Sequence, residues 1–268
     1  MLEMLYVFLL CACLGGLVGV LAGLLGIGGG LLVVPFLMFL LPYFEIATPE
    51  KAVVVAIATS LATIIFTSYS SCLAHHRKDN VPWEFAPWIM SGVALGAALV
   101  GVFASQVNAE WLKNIFAVAV VFIAIRMATS KTVIHTDKTL PPGPVIVLIG
   151  TVLGGMSSLV GIGGGALIVP TLNYFGVDIR RAIGAAAACG FAIAIFGSAG
   201  FIYSGWEQTN WQTGYLGYVF LPAVFGVIIT SMLTAPIGAR LVQTMPIKKL
   251  KRIFAVLLSI IALKMIFS

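Results

Sequence analysis

Two segments of the chain repeat one phrase. Gly26–Pro35 reads "GIGGGLLVVP" and Gly161–Pro170 reads "GIGGGALIVP". In each, three consecutive glycines are followed, five residues after the last, by a proline. Neither segment holds a histidine, a cysteine or a charged residue, so any chemistry there must come from the main chain. Glycine in a helix interior is destabilising by about 1 kcal/mol against alanine, and three in a row nearly forbid regular helix. The apolar run behind each tract can start a helix at the last glycine, with free amides and a positive dipole end. That is an anion site, and glycine lets the ligand approach the main chain closely. Pro35 and Pro170 each deprive a carbonyl one turn earlier of its helical donor, which marks a helix break. The expected binding set is therefore Gly28, Gly29 and Gly30 with Gly163, Gly164 and Gly165. Thr59 and Ser60 join it as mid-helix hydroxyls in a stretch otherwise lined by Ala, Val and Ile. A buried hydroxyl wants a partner, and a carbonyl of its own helix is the alternative to a ligand. Close helix packing of the small-xxx-small kind competes as a reading of glycine-rich runs and suits Gly15, Gly19 and Gly23.

The elements that must hold these tracts are membrane helices. The chain has 268 residues, 60% hydrophobic and 9% charged, with mean hydropathy +1.10. A soluble domain carries about 25% charged residues, so too little polar side chain is present to cover a water-facing surface. Apolar runs cover Leu5–Leu25, Ala52–Leu73, Phe85–Ala104, Ile115–Ile125, Val145–Val160, Ile183–Tyr203, Tyr215–Ile237 and Ile253–Phe267. A spanning helix needs about 20 such residues, with a tolerance of several. A β-barrel would show alternating segments of roughly 10 residues instead. The first run has only Glu3 before it among charged residues and no small-x-small cleavage site, so it reads as retained. The four cysteines lie in apolar stretches without a CxxC pair and read as small packing residues.

The repeat extends beyond the glycines. Gly15–Leu37 and Gly150–Leu172 share 12 of 23 positions at an offset of 135, and Ala52–Ser68 and Ala182–Ser198 share seven of 17 at an offset of 130. "IFAVAVVFIAIRM" (Ile115–Met127) is echoed by "IFAVLLSIIALKM" (Ile253–Met265). The chain divides into a first transmembrane repeat, 1–128, a polar, proline-rich linker, 129–144, and a second repeat, 145–268. Each half holds five elements: a long helix, a short segment after the glycine break, then three spans. Leu31–Leu41, capped by Pro42, reaches only about 16 Å, too little for a hydrocarbon core of about 30 Å. It reads as one arm of a broken or re-entrant hairpin. Basic loops ("AHHRKDN", the linker, "GARLVQTMPIKKLKR") are separated by nearly neutral ones ("SQVNAEWLK", "SGWEQTNWQ"), while "GVDIRRA" carries Arg180 and Arg181. By the positive-inside rule the linker is cytoplasmic and both termini are periplasmic. An odd number of elements per half then inverts one half against the other, a pattern of secondary transporters that bind substrate near midplane where the repeats meet.

Twin GxGGG-x4-P segments, one opening each half of a short, very apolar chain, resemble the TauE/SafE sulfite-exporter family. "AIATSL" (Ala56–Leu61) matches as well, and the resemblance covers essentially the whole chain. It implies a bacterial inner-membrane transporter of small anions, such as sulfite, sulfonates or related organic acids. The family commonly repeats its Thr-Ser pair in the second half, but here Thr59-Ser60 is answered by Cys189-Gly190.

The remaining chemistry is thin. All nine acidic residues lie in or beside loops, so no midplane carboxylate is available as a proton relay. His75 and His76 are adjacent and read as part of a basic loop rather than a metal site. An intramembrane serine protease would need a histidine partner, and no histidine follows His135. A channel using the same site is the alternative to a carrier. A purely structural membrane subunit would not need a duplicated glycine break. The reading is an all-α polytopic protein, not an enzyme, without cofactor, metal or nucleic-acid partner, moving a small anion and free to form a homodimer. The net charge of +6 serves topology, with Lys248, Lys249, Lys251 and Arg252 as an anchor near anionic lipid.

Overall fold

The computed structural model describes residues 2–25, 28–103, 106, 109–129, 140–207, 209 and 213–241. The expected linker core, the run Ile253–Phe267 and the basic cluster at Lys248–Arg252 lie outside the described residues.

Nine helices are described: α1 (Leu2–Leu25), α2 (Gly30–Tyr43), α3 (Pro49–His76), α4 (Ala86–Phe103), α5 (Ala109–Thr129), α6 (Gly143–Val160), α7 (Gly165–Tyr174), α8 (Ile179–Gly205) and α9 (Leu221–Leu241). Among the described residues, α1, α3, α4, α6, α8 and α9 are long and apolar enough to cross a membrane. α2 and α7, with 14 and 10 residues, reach about 21 and 15 Å, short of a bilayer core of about 30 Å.

Burial sets the hierarchy. In the most apolar stretch of α3 and α8, 83% and 72% of residues are inside the protein, against 33–44% for the other four spans. These two helices form the centre and pack on each other. They run antiparallel: Leu61 approaches Gly197, Tyr69 packs on Phe191, and the Asn80 carbonyl just beyond α3 meets Gly184 near the start of α8. Corresponding residues start them. Thr48 caps α3 by accepting from Lys51 N at 3.5 Å, and Asp178 caps α8 by accepting from Arg180 N at 2.9 Å.

Around this centre the two halves exchange partners. α1 packs on α9 and α4 packs on α6. Glycine sets both approaches. A β-carbon on Gly15 would stand 2.5 Å from the Val227 carbonyl oxygen, and one on Gly150, its repeat counterpart, 2.8 Å from the Ile89 carbonyl oxygen. Thr230 adds a hydrogen bond of 2.6 Å to the Ala12 carbonyl. These contacts are the small-residue packing that lets membrane helices adhere without a hydrophobic driving force.

Three local expectations change. Pro42 lies inside α2, which runs to Tyr43; the helix ends where Phe44 N bonds back to the Leu40 carbonyl and Glu45 takes φ +54°. His75 and His76 belong to α3 rather than to a loop, because the helix runs to His76 and Arg77 is its cap. The apolar run from Tyr215 begins as a β-hairpin, β1 (Tyr215–Leu216) against β2 (Val219–Phe220), with Tyr215 opposite Phe220. The fold is thus not purely helical. Gly217 takes φ +55° at the first position of the two-residue turn, where a type II′ hairpin calls for glycine.

Candidate functional site

The chain leaves helical conformation at both tracts. α6 ends at Val160 and α7 starts at Gly165; α1 ends at Leu25 and α2 starts at Gly30. Gly29 and Gly164 are the residues immediately before the short helices, and both are left-handed, φ +81° and +76°. A side chain there would be strained, which explains glycine at these two positions. The first amides of α2 and α7 to bond back are those of Leu32 and Leu167, to Gly29 and Gly164. The amides of Gly30, Leu31, Gly165 and Ala166 precede the first intrahelical bond and carry the positive end of each helix. Pro35 and Pro170 do not break the chain as expected: each lies within its short helix, and α2 and α7 run on to Tyr43 and Tyr174, so the break falls at the glycines alone.

The two tracts cross in contact. A β-carbon on Gly28 would lie 3.2 Å from Gly163 Cα, and one on Gly30 would strike the Gly161 carbonyl. Not all six glycines meet. Gly29 faces Val18 of α1, and Gly164 faces Ile193 of α8 and its own Ile168. The contact is therefore built from Gly28 and Gly30 against Gly161 and Gly163, with the middle glycines turned to apolar walls.

α3 stitches this crossing together. Ser60 Oγ donates to the Gly161 carbonyl at 2.9 Å, and Thr67 Oγ1 donates to the Gly28 carbonyl at 3.0 Å. One helix thus holds one carbonyl from each tract. Both carbonyls lie where the helix is broken, so a side-chain donor replaces the missing helical amide. Thr59 points elsewhere: its Oγ1 accepts from Phe220 N at 3.0 Å and fixes the hairpin to α3. Neither Thr59 nor Ser60 bonds a carbonyl of its own helix.

One hydroxyl at the crossing is unengaged. Ser68 Oγ is buried and makes no hydrogen bond. It stands 3.1 Å from the position a Gly28 β-carbon would take and 2.9 Å from that of Gly190. Ser198, its counterpart at the same offset of 130, is also buried without a partner. The sequence reading passed over both, although the aligned stretch ends on this identical pair. Orphaned buried hydroxyls are rare, and each calls for a reason.

A cleft of about 310 Å³ opens at the other end of α3, lined by Glu45, Thr48, Lys51, Thr213, Tyr215 and Tyr218 among others. The hairpin contributes Tyr215 and Tyr218 to its lining, and Phe220 at the hairpin's end is bonded to Thr59, next to Ser60. Tyr215 donates to the Ile46 carbonyl at 3.0 Å, and burial pushes its phenol up to about 12, so it stays protonated and holds that bond. Across the molecule Arg181 pairs with Glu84, tying the α3–α4 connection to the start of α8. Among the described residues, no group of His, Cys, Asp and Glu is arranged to hold a metal ion.

A family model described as "Sulfite exporter TauE/SafE" matches residues 11–265. The chain is 40% identical over 260 residues to a probable membrane transporter protein of Haemophilus influenzae, covering 96% of this chain and 97% of that one. It is 29% identical over 272 residues to a probable membrane transporter protein of Methanocaldococcus jannaschii, covering 98% and 97%. A third relative, probable membrane transporter protein YdhB of Bacillus subtilis, is 26% identical over 71% of this chain and 76% of its own. No solved structure matches.

Proposed function

The chain belongs to the sulfite exporter TauE/SafE family of membrane transporters, and from that premise we propose that it is a secondary transporter of small anions, with sulfite, sulfonates and related organic acids as the substrate class. The anion sits at the glycine crossing. It is held by the early amides of α2 and α7 and by the hydroxyl of Ser68. Two helix ends would each supply roughly half a positive charge, so no buried Arg or Lys is required. The tracts touch in the conformation described, so the bound state separates them. Binding and gating then become one motion, as alternating access needs.

The observation that carries this reading is the orphaned Ser68 hydroxyl, buried at the crossing against Gly28 and Gly190. Inverted topology draws support from a separate fact. α3 and α8 are equivalent members of the two halves, and they pack antiparallel, while α1–α9 and α4–α6 exchange as a pseudo-two-fold would require. With the loop charges, this favours a cytoplasmic linker and periplasmic termini in a bacterial inner membrane.

The test is uptake of sulfite, a short sulfonate, thiosulfate and a short carboxylate by proteoliposomes, paired with thermal shift for each. A ligand bound only by the native state must raise its stability. Saturable flux of one of them, weakened by Ser68→Ala, is the expected result. Flux that never saturates and runs far above carrier turnover would make the protein a channel.

A further inference from the structure

The hydroxyl at the crossing is the first of a series. Ser68, Ser71 and His75 occupy α3 at spacings of three and four residues, which places them within a sector of about 60° on one helix face. All three are buried: Ser68 and Ser71 are 1% exposed and His75 is 3% exposed. Neither serine hydroxyl nor either His75 ring nitrogen makes a hydrogen bond, although the Gly23 backbone of α1 lies near the imidazole. A serine in a helix ordinarily satisfies itself on a carbonyl one turn back. Thr63 and Thr67 of this helix do so. Ser68 and Ser71 do not, so their hydroxyls are free for something else. The series spans about 10 Å along the axis and ends at the turn that carries Arg77 and Lys78.

The other half does not repeat it. At the offset of 130, Ser68, Ser71 and His75 become Ser198, Phe201 and Gly205. Phe201 is fully buried and its carbonyl accepts from Tyr218 N of the hairpin, whose Phe220 is also fully buried. Because α3 and α8 run antiparallel, these apolar positions lie toward the opposite end of the molecule. The centre therefore has a polar side and an apolar side.

We propose that Ser68, Ser71 and His75 line the wet half of the anion pathway, leading from the glycine crossing to the Arg77–Lys78 end of α3, while Phe201 and the hairpin form its dry, closed half. The inference rests on the proposed transport reading and adds a direction to it. Polar groups buried in a membrane protein without partners stand where a cavity supplies them. A small oxyanion or its hydrating water can accept from each hydroxyl in turn and from an imidazole N–H. The basic residues at the mouth attract the anion before it enters.

The test uses the full chain carrying Cys11→Ala, Cys13→Ala, Cys72→Ala and Cys189→Ala, with either Ser71→Cys or Phe201→Cys added. Each is exposed to an anionic, membrane-impermeant methanethiosulfonate in vesicles of both orientations. Ser71→Cys should react at least about tenfold faster than Phe201→Cys, from the Arg77–Lys78 side only, since a thiol buried away from water is inert. Equal rates, or reaction of Ser71→Cys from the opposite side, overturn the proposal. A second pair, His75→Leu and His75→Gln in the unaltered chain, reads the path by flux. Leucine should slow it about tenfold and glutamine should largely restore it; parent-like flux in both counts against the path. Thiol reactivity does not depend on which anion is carried. Flux without Ser71→Cys labelling sinks the path and leaves transport standing. Labelling without flux of any anion tested sinks the transport reading instead.

Discussion

Gly28→Ala is the smallest change that tests the crossing. Two costs follow from the structure. Gly28 has φ +72°, and an L-residue in the left-handed region costs roughly 1–2 kcal/mol. The added methyl also lands 2.7 Å from Ile64 Cγ2, 3.1 Å from Ser68 Oγ and 3.2 Å from Gly163 Cα. Comfortable carbon–carbon contact is about 3.5–4.0 Å, so the methyl intrudes on fully buried Ile64 and on opposing backbone. Overpacking of this kind typically costs about 1–3 kcal/mol. Together the change should destabilise the protein by about 2–5 kcal/mol, and it should suppress transport by jamming the surfaces that must part. Gly16→Ala is the internal control. Nothing lies within 4 Å of its β-carbon position, so it should be neutral or gain up to about 1 kcal/mol from helix propensity. The assay is reversible unfolding in detergent or nanodiscs, with sulfite flux alongside. Parent-like stability and flux in Gly28→Ala, matching Gly16→Ala, would falsify the crossing itself.

Other outcomes follow from single contacts. Ser60→Ala removes the hydroxyl that donates to the Gly161 carbonyl; stability should fall by about 1–2 kcal/mol and flux should drop, and a melting curve superposable on the parent's would show the bond is absent in the membrane. Thr59→Val keeps the shape but strips the acceptor from Phe220 N, so hydrogen exchange at Phe220 should accelerate while ligand affinity changes less than in Ser60→Ala; the reverse order would move Thr59 into the binding site. Gly19→Leu drives a side chain into the Ser231 backbone of α9 and should prevent α1–α9 packing, seen as aggregation on size exclusion; a monodisperse, active variant would contradict that contact. Glu84 is held below the usual carboxylate range, first by its own backbone amide and then by Arg181. That contribution is present above the ordinary carboxylate range and is lost as pH falls below it, so Glu84→Gln should lower melting slightly near pH 7 and the difference from the parent should vanish in acid; a gap that widens as pH falls would contradict the pairing. The pair is exposed, so the effect is small and salt-sensitive.

Much of this could be seen in the residues because the signals were strong and local. Triple glycine stops a helix in any surroundings, and a doubled phrase reports duplication whatever the fold. The tracts therefore stood out, and so did Gly15 and Gly19 as packing positions. What escaped depends on neighbours distant in the chain. Tyr215–Phe220 is as apolar as the start of a helix, and only Gly214 and Gly217 punctuate it; the hairpin is held to α3 by Thr59, 161 residues away, which accepts from Phe220 N. His75 looks like loop beside Arg77 and Lys78, but it is buried under elements the local sequence does not reveal. Which glycines meet across the crossing, and that the middle ones do not, is a matter of rotation about α2 and α7. Composition carries no such information. Ser68 is intermediate: its identity with Ser198 was visible, while its want of a partner was not.

The exchange of helices between halves has a consequence for biosynthesis. Thr230 bonds the Ala12 carbonyl across 218 positions of sequence. At roughly 5–20 residues per second, α1 leaves the ribosome about 10–45 s before the helix it packs against. During that interval the grooves at Gly15 and Gly19 face lipid, and α4 waits likewise for α6. The amino-terminal half is thus inserted as a set of unsatisfied surfaces and closes only when the second half arrives. A gene cut within 130–139 would encode two fragments, each with an open interface that only the other half can fill.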